Sequence, residues 1–188
     1  MKQEAMNSLT ISILLLLLFA AAWQDFRAYY ISNAVVSFGA LLGVLLNASL
    51  PEGIGIIESF MGWGIGFLLL LPLYLLRMMG AGDIKLMAMV GAFVGTNDIL
   101  GIFLNTLITG GVLAFIISLQ QGMLGRLMEN LARMFQITFT LNKTDLVNNN
   151  LPEFGKSSNS IGKIPYAIAI AIGTVIFLTT NHLKLVVE

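Results

Sequence analysis

The chain has 188 residues, 57% of them hydrophobic and 11% charged, with a mean hydropathy of +0.87. A soluble domain carries about 25% charged residues, so this composition excludes a soluble enzyme and points to an integral membrane protein. The formal net charge of zero offers no basic footprint for nucleic acid, and with no cysteine and a single histidine, His182, there is no cysteine-based zinc or disulfide site.

At ~20 residues per membrane helix there is room for about six spans and little else. The expected fold class is therefore an all-α membrane protein, one polytopic domain over residues 1–188. The first apolar segment runs from Leu9 to Trp23 and is followed by DFRAYYIS. Its Ala20, Ala21 and Ala22 also resemble a signal-peptide cleavage site, but the charge bias described below favours a retained span. The second segment runs from Asn33 to Ala48 and ends in NASLPEG, and the third from Ile57 to Leu76, ending in RMMGAG. The fourth, Ile84 to Thr96, is broken from the fifth, Ile99 to Leu119, by TND. A polar connection over about 120–163 precedes the sixth, Ile164 to Thr180. Gly39/Gly43, Gly62/Gly66 and Gly91/Gly95 each put two glycines on one helix face, a pattern that lets neighbouring helices pack closely.

The long connection has its own pattern. In MLGRLMENLARMFQITF the apolar residues Leu124, Leu127, Met128, Leu131, Met134 and Phe135 follow helical spacing, opposite Arg126, Glu129, Asn130 and Arg133. This predicts an amphipathic helix between helices five and six, lying in the membrane interface or packed on the membrane domain. The stretch TLNKTDLVNNNLPEFGKSSNSIG reads as a loop.

If the connections after spans one, three and five share a side, that side holds Arg27, Arg77, Lys85, Arg126, Arg133, Lys143, Lys156 and Lys163, leaving only Lys2 and Lys184 opposite. The positive-inside rule then makes those connections cytoplasmic and both termini external. Asp25, at the end of span one, and Asp83, at the start of span four, fall on the same cytoplasmic face, whereas Asp98 falls in the outer connection as a solvated cap. Between Leu86 and Asn97 there is no charge, and those twelve residues cover only ~18 Å of a ~30 Å hydrocarbon core. The short span draws Asp83 and Lys85 toward the membrane surface.

An ionisable group inside a membrane segment costs at least ~2.5 kcal/mol at the bilayer centre and marks a functional site by default. Each aspartate also has a structural reading. Asp83 suits a helix N-cap, favoured by the dipole. Asp25 lies at a helix end that the dipole disfavours, and could pair locally with Arg27. Lys85 could orient a substrate carbonyl, hold an aspartate as the anion, or snorkel to the headgroups.

DFRAYYISN (Asp25 to Asn33) resembles the first-helix motif of the prepilin peptidases, an aspartate followed by a basic residue and an Ile-Pro-Asn-like element, with Ser32 where proline is common. GAGDIKLMAMVGAFVG (Gly80 to Gly95) is similar to that family's Gly-x-Gly-Asp signature, shared with other intramembrane aspartyl proteases. KIPYAIAIAIG (Lys163 to Gly173) is similar to its proline-aromatic-alanine element. The resemblance implies that Asp25 and Asp83 are the catalytic pair. It places Arg27, Asn33, Gly80, Gly82, Lys85 and Pro165 among the substrate-binding or site-shaping residues. The implied partners are type IV pilin-like precursors, cleaved at the cytoplasmic membrane face, with membrane lipid around the enzyme. The absence of cysteine resembles the family's short, peptidase-only form.

The chemistry that such a pair performs needs no nucleophilic side chain, and neither a cofactor nor a metal is expected. Two neighbouring carboxylates do not both ionise cheaply, so one holds a proton while the other activates water. Gly80 and Gly82 would permit unusual backbone angles and a close substrate approach. Membrane carboxylates also mark ion paths, which makes a small ion or proton transporter the alternative, along with a non-catalytic membrane assembly partner. Against a transporter, both carboxylates fall at one face, and no polar residues of comparable strength continue across spans one and four.

Overall fold

The computed structural model describes residues 8–51, 53–76, 79–120 and 166–187. Their regular structure is helical: α1 (Ser8–Ala28), α2 (Asn33–Ser49), α3 (Ile56–Leu75), α4 (Ala81–Gln120) and α5 (Tyr166–Val187). The chain divides into two compact units, Met1–Gly111 with Pro165–Glu188, and Val112–Ile164. The second unit is described only over the last turns of α4, 112–120; the amphipathic helix and loop expected beyond it lie outside the described residues.

Ser8–Ala28, Ile56–Leu75 and Ala81–Ile117 are long and apolar enough to cross a membrane, and Asn33–Ser49 and Tyr166–Asn181 are shorter apolar helices. The protein is an all-helical, multi-pass membrane protein. Its outward faces carry Leu16, Phe19, Phe38, Ile57, Leu68 and Ile108, all more than half exposed. That surface is costly in water and favourable against lipid.

Inside the first unit, α1 packs on α5 and α2, and α2 packs on α3. The buried stripe of α1 is Thr10, Leu14, Leu18, Ala21 and Asp25, a spacing of three or four that places Asp25 on the inward face. Tyr29, with φ 49, ends the helix one turn later, its amide donating to the Asp25 carbonyl at 2.8 Å. The first half of α4 is the centre of the unit, for Ile84 and every residue from Leu86 to Gly95 are buried. Only side-chain-free positions on its neighbours allow that depth. A methyl group on Gly43 would stand 2.8 Å from the Phe93 ring, one on Gly66 2.6 Å from the Met87 carbonyl, and Gly39 and Gly62 would collide with Met89 and with the Gly91 carbonyl. These glycines are packing surfaces, as their spacing predicts.

The break between the fourth and fifth apolar segments differs from the expectation. Residues 96–98, TND, are helical, and the non-helical residue is Gly95, at φ 76 and ψ −168. That backbone conformation is open to glycine and strained for any other residue, whereas Asn97 and Asp98 are well tolerated in the first turn of the helix that follows. Asp98 is accordingly part-buried on a helix, not a solvated loop residue. After Gly95 the chain folds back. Phe177, Gly173 and Tyr166 of α5 meet Gly101, Thr106 and Gly110 in antiparallel order, and Tyr166 is within electrostatic reach of Asp83. A straight helix would hold Gly110 about 40 Å from Asp83.

Candidate functional site

Asp25 and Asp83 meet at one end of the first unit. Each is built into place by its helix: Asp25 is the last residue of the buried stripe of α1, and Asp83 lies in the first turn of α4. They are 6% and 8% exposed, and the charge of Asp25 acts on Asp83 directly.

Each carboxylate is held by one oxygen. Asp25 Oδ2 accepts from the Ala167 amide at 3.0 Å, and Asp83 Oδ2 accepts from the Gly80 amide at 3.1 Å. Among the described residues, neither Oδ1 has a protein partner. The Gly80 bond, with the Asp83 amide donating back to the Gly80 carbonyl at 3.2 Å, makes Asp83 the third residue of its helix reaching back to the cap, not the cap itself. The Ala167 bond resolves the dipole problem at Asp25, because the N-terminus of α5 places positive potential against a carboxylate that ends α1. Local pairing with Arg27 does not occur among the described residues. Arg27 is exposed and stacks over Trp23 at 4.7 Å, and Trp23 stacks on Phe19, an interfacial belt of aromatic and basic groups.

Lys85 Nζ donates to Asn33 Oδ1 at 2.9 Å, tying the start of α4 to the start of α2 on the exposed rim. Lys85 makes no ion pair with either aspartate among the described residues. Gly80 and Gly82 do not have positive φ. Gly82 is instead a close-packing position, where an added methyl would stand 3.1 Å from buried Ile31, while Gly80 is open except toward Asp83. Pro165 lies outside the described residues. Among the described residues no three His, Cys, Asp or Glu side chains gather as metal ligands.

Three contributors escape a residue-type search. The Ala167 donor is a backbone amide, for which no side chain signals. Gln24 precedes the aspartate motif and Ile31 lies inside it; Ile31 covers Gly82, and Gln24 Oε1 accepts from the Ser32 amide at 3.0 Å, fixing the turn out of α1. The sequence signal for Gln24 is adjacency to Asp25, and for Ile31 its place in the Ile-Pro-Asn-like element.

Among the described residues the arrangement offers two carboxylate oxygens without a protein partner, on side chains that are themselves buried, which suits sharing of a proton and activation of water. A model described as the type IV leader peptidase family matches residues 12–115, more than half of the chain and including both aspartates. No curated protein and no solved structure matches.

Proposed function

The chain belongs to the type IV leader peptidase family, the prepilin peptidases, and from that membership we propose that Asp25 and Asp83 are the catalytic pair. The activity is that of an aspartic protease, a hydrolase that removes leader peptides from pilin-like precursors. In the proposed mechanism the ionised carboxylate takes a proton from water, the water oxygen attacks the scissile carbonyl, and the protonated carboxylate donates to the developing oxyanion. Collapse of the tetrahedral intermediate breaks the C–N bond: the leaving amine takes the proton from the carboxyl that first accepted it, and a hydroxyl of the intermediate returns its proton to the other carboxylate, which restores the pair. Holding each Oδ2 on a backbone amide orients both groups before substrate arrives.

The observation that carries this reading is the pair itself: two buried carboxylates from distant helices, each anchored through one oxygen and open at the other. Around it we place a six-span topology in which α4 crosses twice, folding back at Gly95. Both termini are external, and the aspartates and the 120–163 connection are cytoplasmic. The charge bias of the connections supports this orientation. Gly80, Gly82, Lys85, Arg27 and Asn33 then rim the entry for an extended leader junction, and the family resemblance adds Pro165 to the site-shaping residues. Partners are pilin-like precursors and membrane lipid, with no nucleic acid. The deciding experiment is leader removal from a pilin-like precursor by the purified enzyme and by its Asp25→Asn and Asp83→Asn variants; cleavage by either variant at the normal rate overturns the assignment of the pair.

A further inference from the structure

At the end of the first half of α4, just before the break at Gly95, a second buried polar group stands apart from the site. Asn47 Nδ2 reaches Ser59 Oγ at 2.9 Å, the Ala92 carbonyl at 3.0 Å and the Phe93 carbonyl at 3.0 Å, and Ser59 Oγ donates to the Ala92 carbonyl at 2.8 Å. Asn47 is 4% exposed and Ser59 fully buried. The helical amide partners of these two carbonyls, Thr96 and Asn97, lie across the non-helical residue Gly95. Side chains of α2 and α3 meet both carbonyls at that break.

The packing around this group leaves the height of α4 underdetermined. Gly39 and Gly43 receive Met89 and Phe93, and Gly62 and Gly66 face Gly91 and Met87. Every one of these pairs repeats at four residues, so sliding α4 by one turn, about 5.4 Å, sets Met89 into the Gly43 notch and keeps much of the same complementarity. The Asn47 and Ser59 bonds have no such repeat, because they meet the two carbonyls just before the one non-helical residue of α4, Gly95. A single buried amide fixes register in coiled coils by the same logic. The helix between Asp83 and Val94 is unbroken, so whatever fixes Ala92 fixes Asp83 nine residues away.

We propose that Asn47 and Ser59 are positioning residues that lock the axial register of α4 and thereby set Asp83 level with Asp25. The register lock stands on the hydrogen bonds alone; its consequence for cleavage rests on the reading of Asp83 as catalytic.

The test uses the absence of cysteine in the full chain. A Cβ at Gly82 would lie 3.1 Å from the Ile31 Cβ, a few tenths of an ångström inside the usual disulfide separation of about 3.5–4.5 Å. The double variant Ile31→Cys/Gly82→Cys, oxidised in membranes, reports register without any need for activity. Adding Asn47→Leu or Ser59→Ala slows the crosslink about ten-fold or more, and Ser59→Thr, which keeps the hydroxyl, restores it. Ser59→Ala, the smaller change, carries the test if Asn47→Leu fails to accumulate. In the otherwise natural chain, Asn47→Leu and Ser59→Ala lower kcat about ten-fold with KM little changed. Unaltered crosslinking in the variants overturns the register lock. Altered crosslinking with normal cleavage overturns its link to Asp83, while full activity of Asp83→Asn overturns the catalytic reading and leaves the lock intact.

Discussion

Asp25 and Ala167 lie 142 positions apart, and a single 3.0 Å hydrogen bond joins the carboxylate of one to the backbone amide of the other. The bond places a helix-ending aspartate on the positive end of a different helix, converting an unfavourable dipole contact into a favourable one. It also dictates which oxygen of Asp25 stays open.

Asp25→Asn and Asp83→Asn are each expected to lower the cleavage rate by ~10²–10⁴-fold, the range for loss of a general acid or base. The amide oxygen of either asparagine can still accept from Ala167 or Gly80, so both variants remain folded and inserted. Asp98→Asn, on the helix after Gly95, changes cleavage less than two-fold or so. Gel-shift processing assays on equal amounts of inserted protein check all three.

The pair requires one protonated and one ionised carboxylate, which gives kcat/KM a bell-shaped dependence on pH. On the acid side both carboxyls carry protons and no base remains; on the alkaline side both are ionised and no acid remains. Each limb belongs to the pair and not to one residue. Initial rates at limiting substrate, measured where the enzyme stays folded, give the profile, and a flat rate across it means that no proton is shared.

Gly95→Ala is expected to destabilise the protein by ~1–3 kcal/mol, the usual cost of holding an L-residue at a strained positive φ. The added methyl would also meet the Ile54 side chain at 2.6 Å. Thermal unfolding in detergent reads the loss as a lowered Tm, while Gly64→Ala, where nothing stands within 4 Å, leaves Tm nearly unchanged.

Lys85→Ala removes an exposed hydrogen bond to Asn33, and its stability cost is expected to stay below ~1 kcal/mol. Cleavage by Lys85→Ala falls only a few-fold if the lysine serves the rim. A loss as deep as that of Asp83→Asn would move Lys85 into the catalytic machinery.

Chelators are expected to leave cleavage intact, because the proposed proton transfers run between two carboxylates and water. Activity lost on chelation and restored by one added metal ion contradicts that mechanism.

Hydrophobic segments are local properties, so the apolar stretches from Leu9 to Thr180 could be read directly, and each overlaps a described helix. The residues of the aspartate motifs were legible for the same reason, since an unpaired carboxylate in an apolar run stands out without any neighbour. Counting crossings from Asp25 to Asp83 even placed both at one end of the molecule. Tertiary structure alone decided the rest, because it depends on groups that pair across long separations. Asp25 finds its partner in a backbone amide at the start of α5, which no side chain announces. Asp83 caps from the third helical position because the chain at Gly80 turns back onto it. The break in α4 falls at Gly95 instead of TND, because close packing against Ile54 and α3 admits only a residue without a Cβ, and the carbonyls just before it are met by Asn47 and Ser59 from two other helices. Periodicity reports which face of a helix is buried, but the height at which that helix stops is set by bonds to its neighbours.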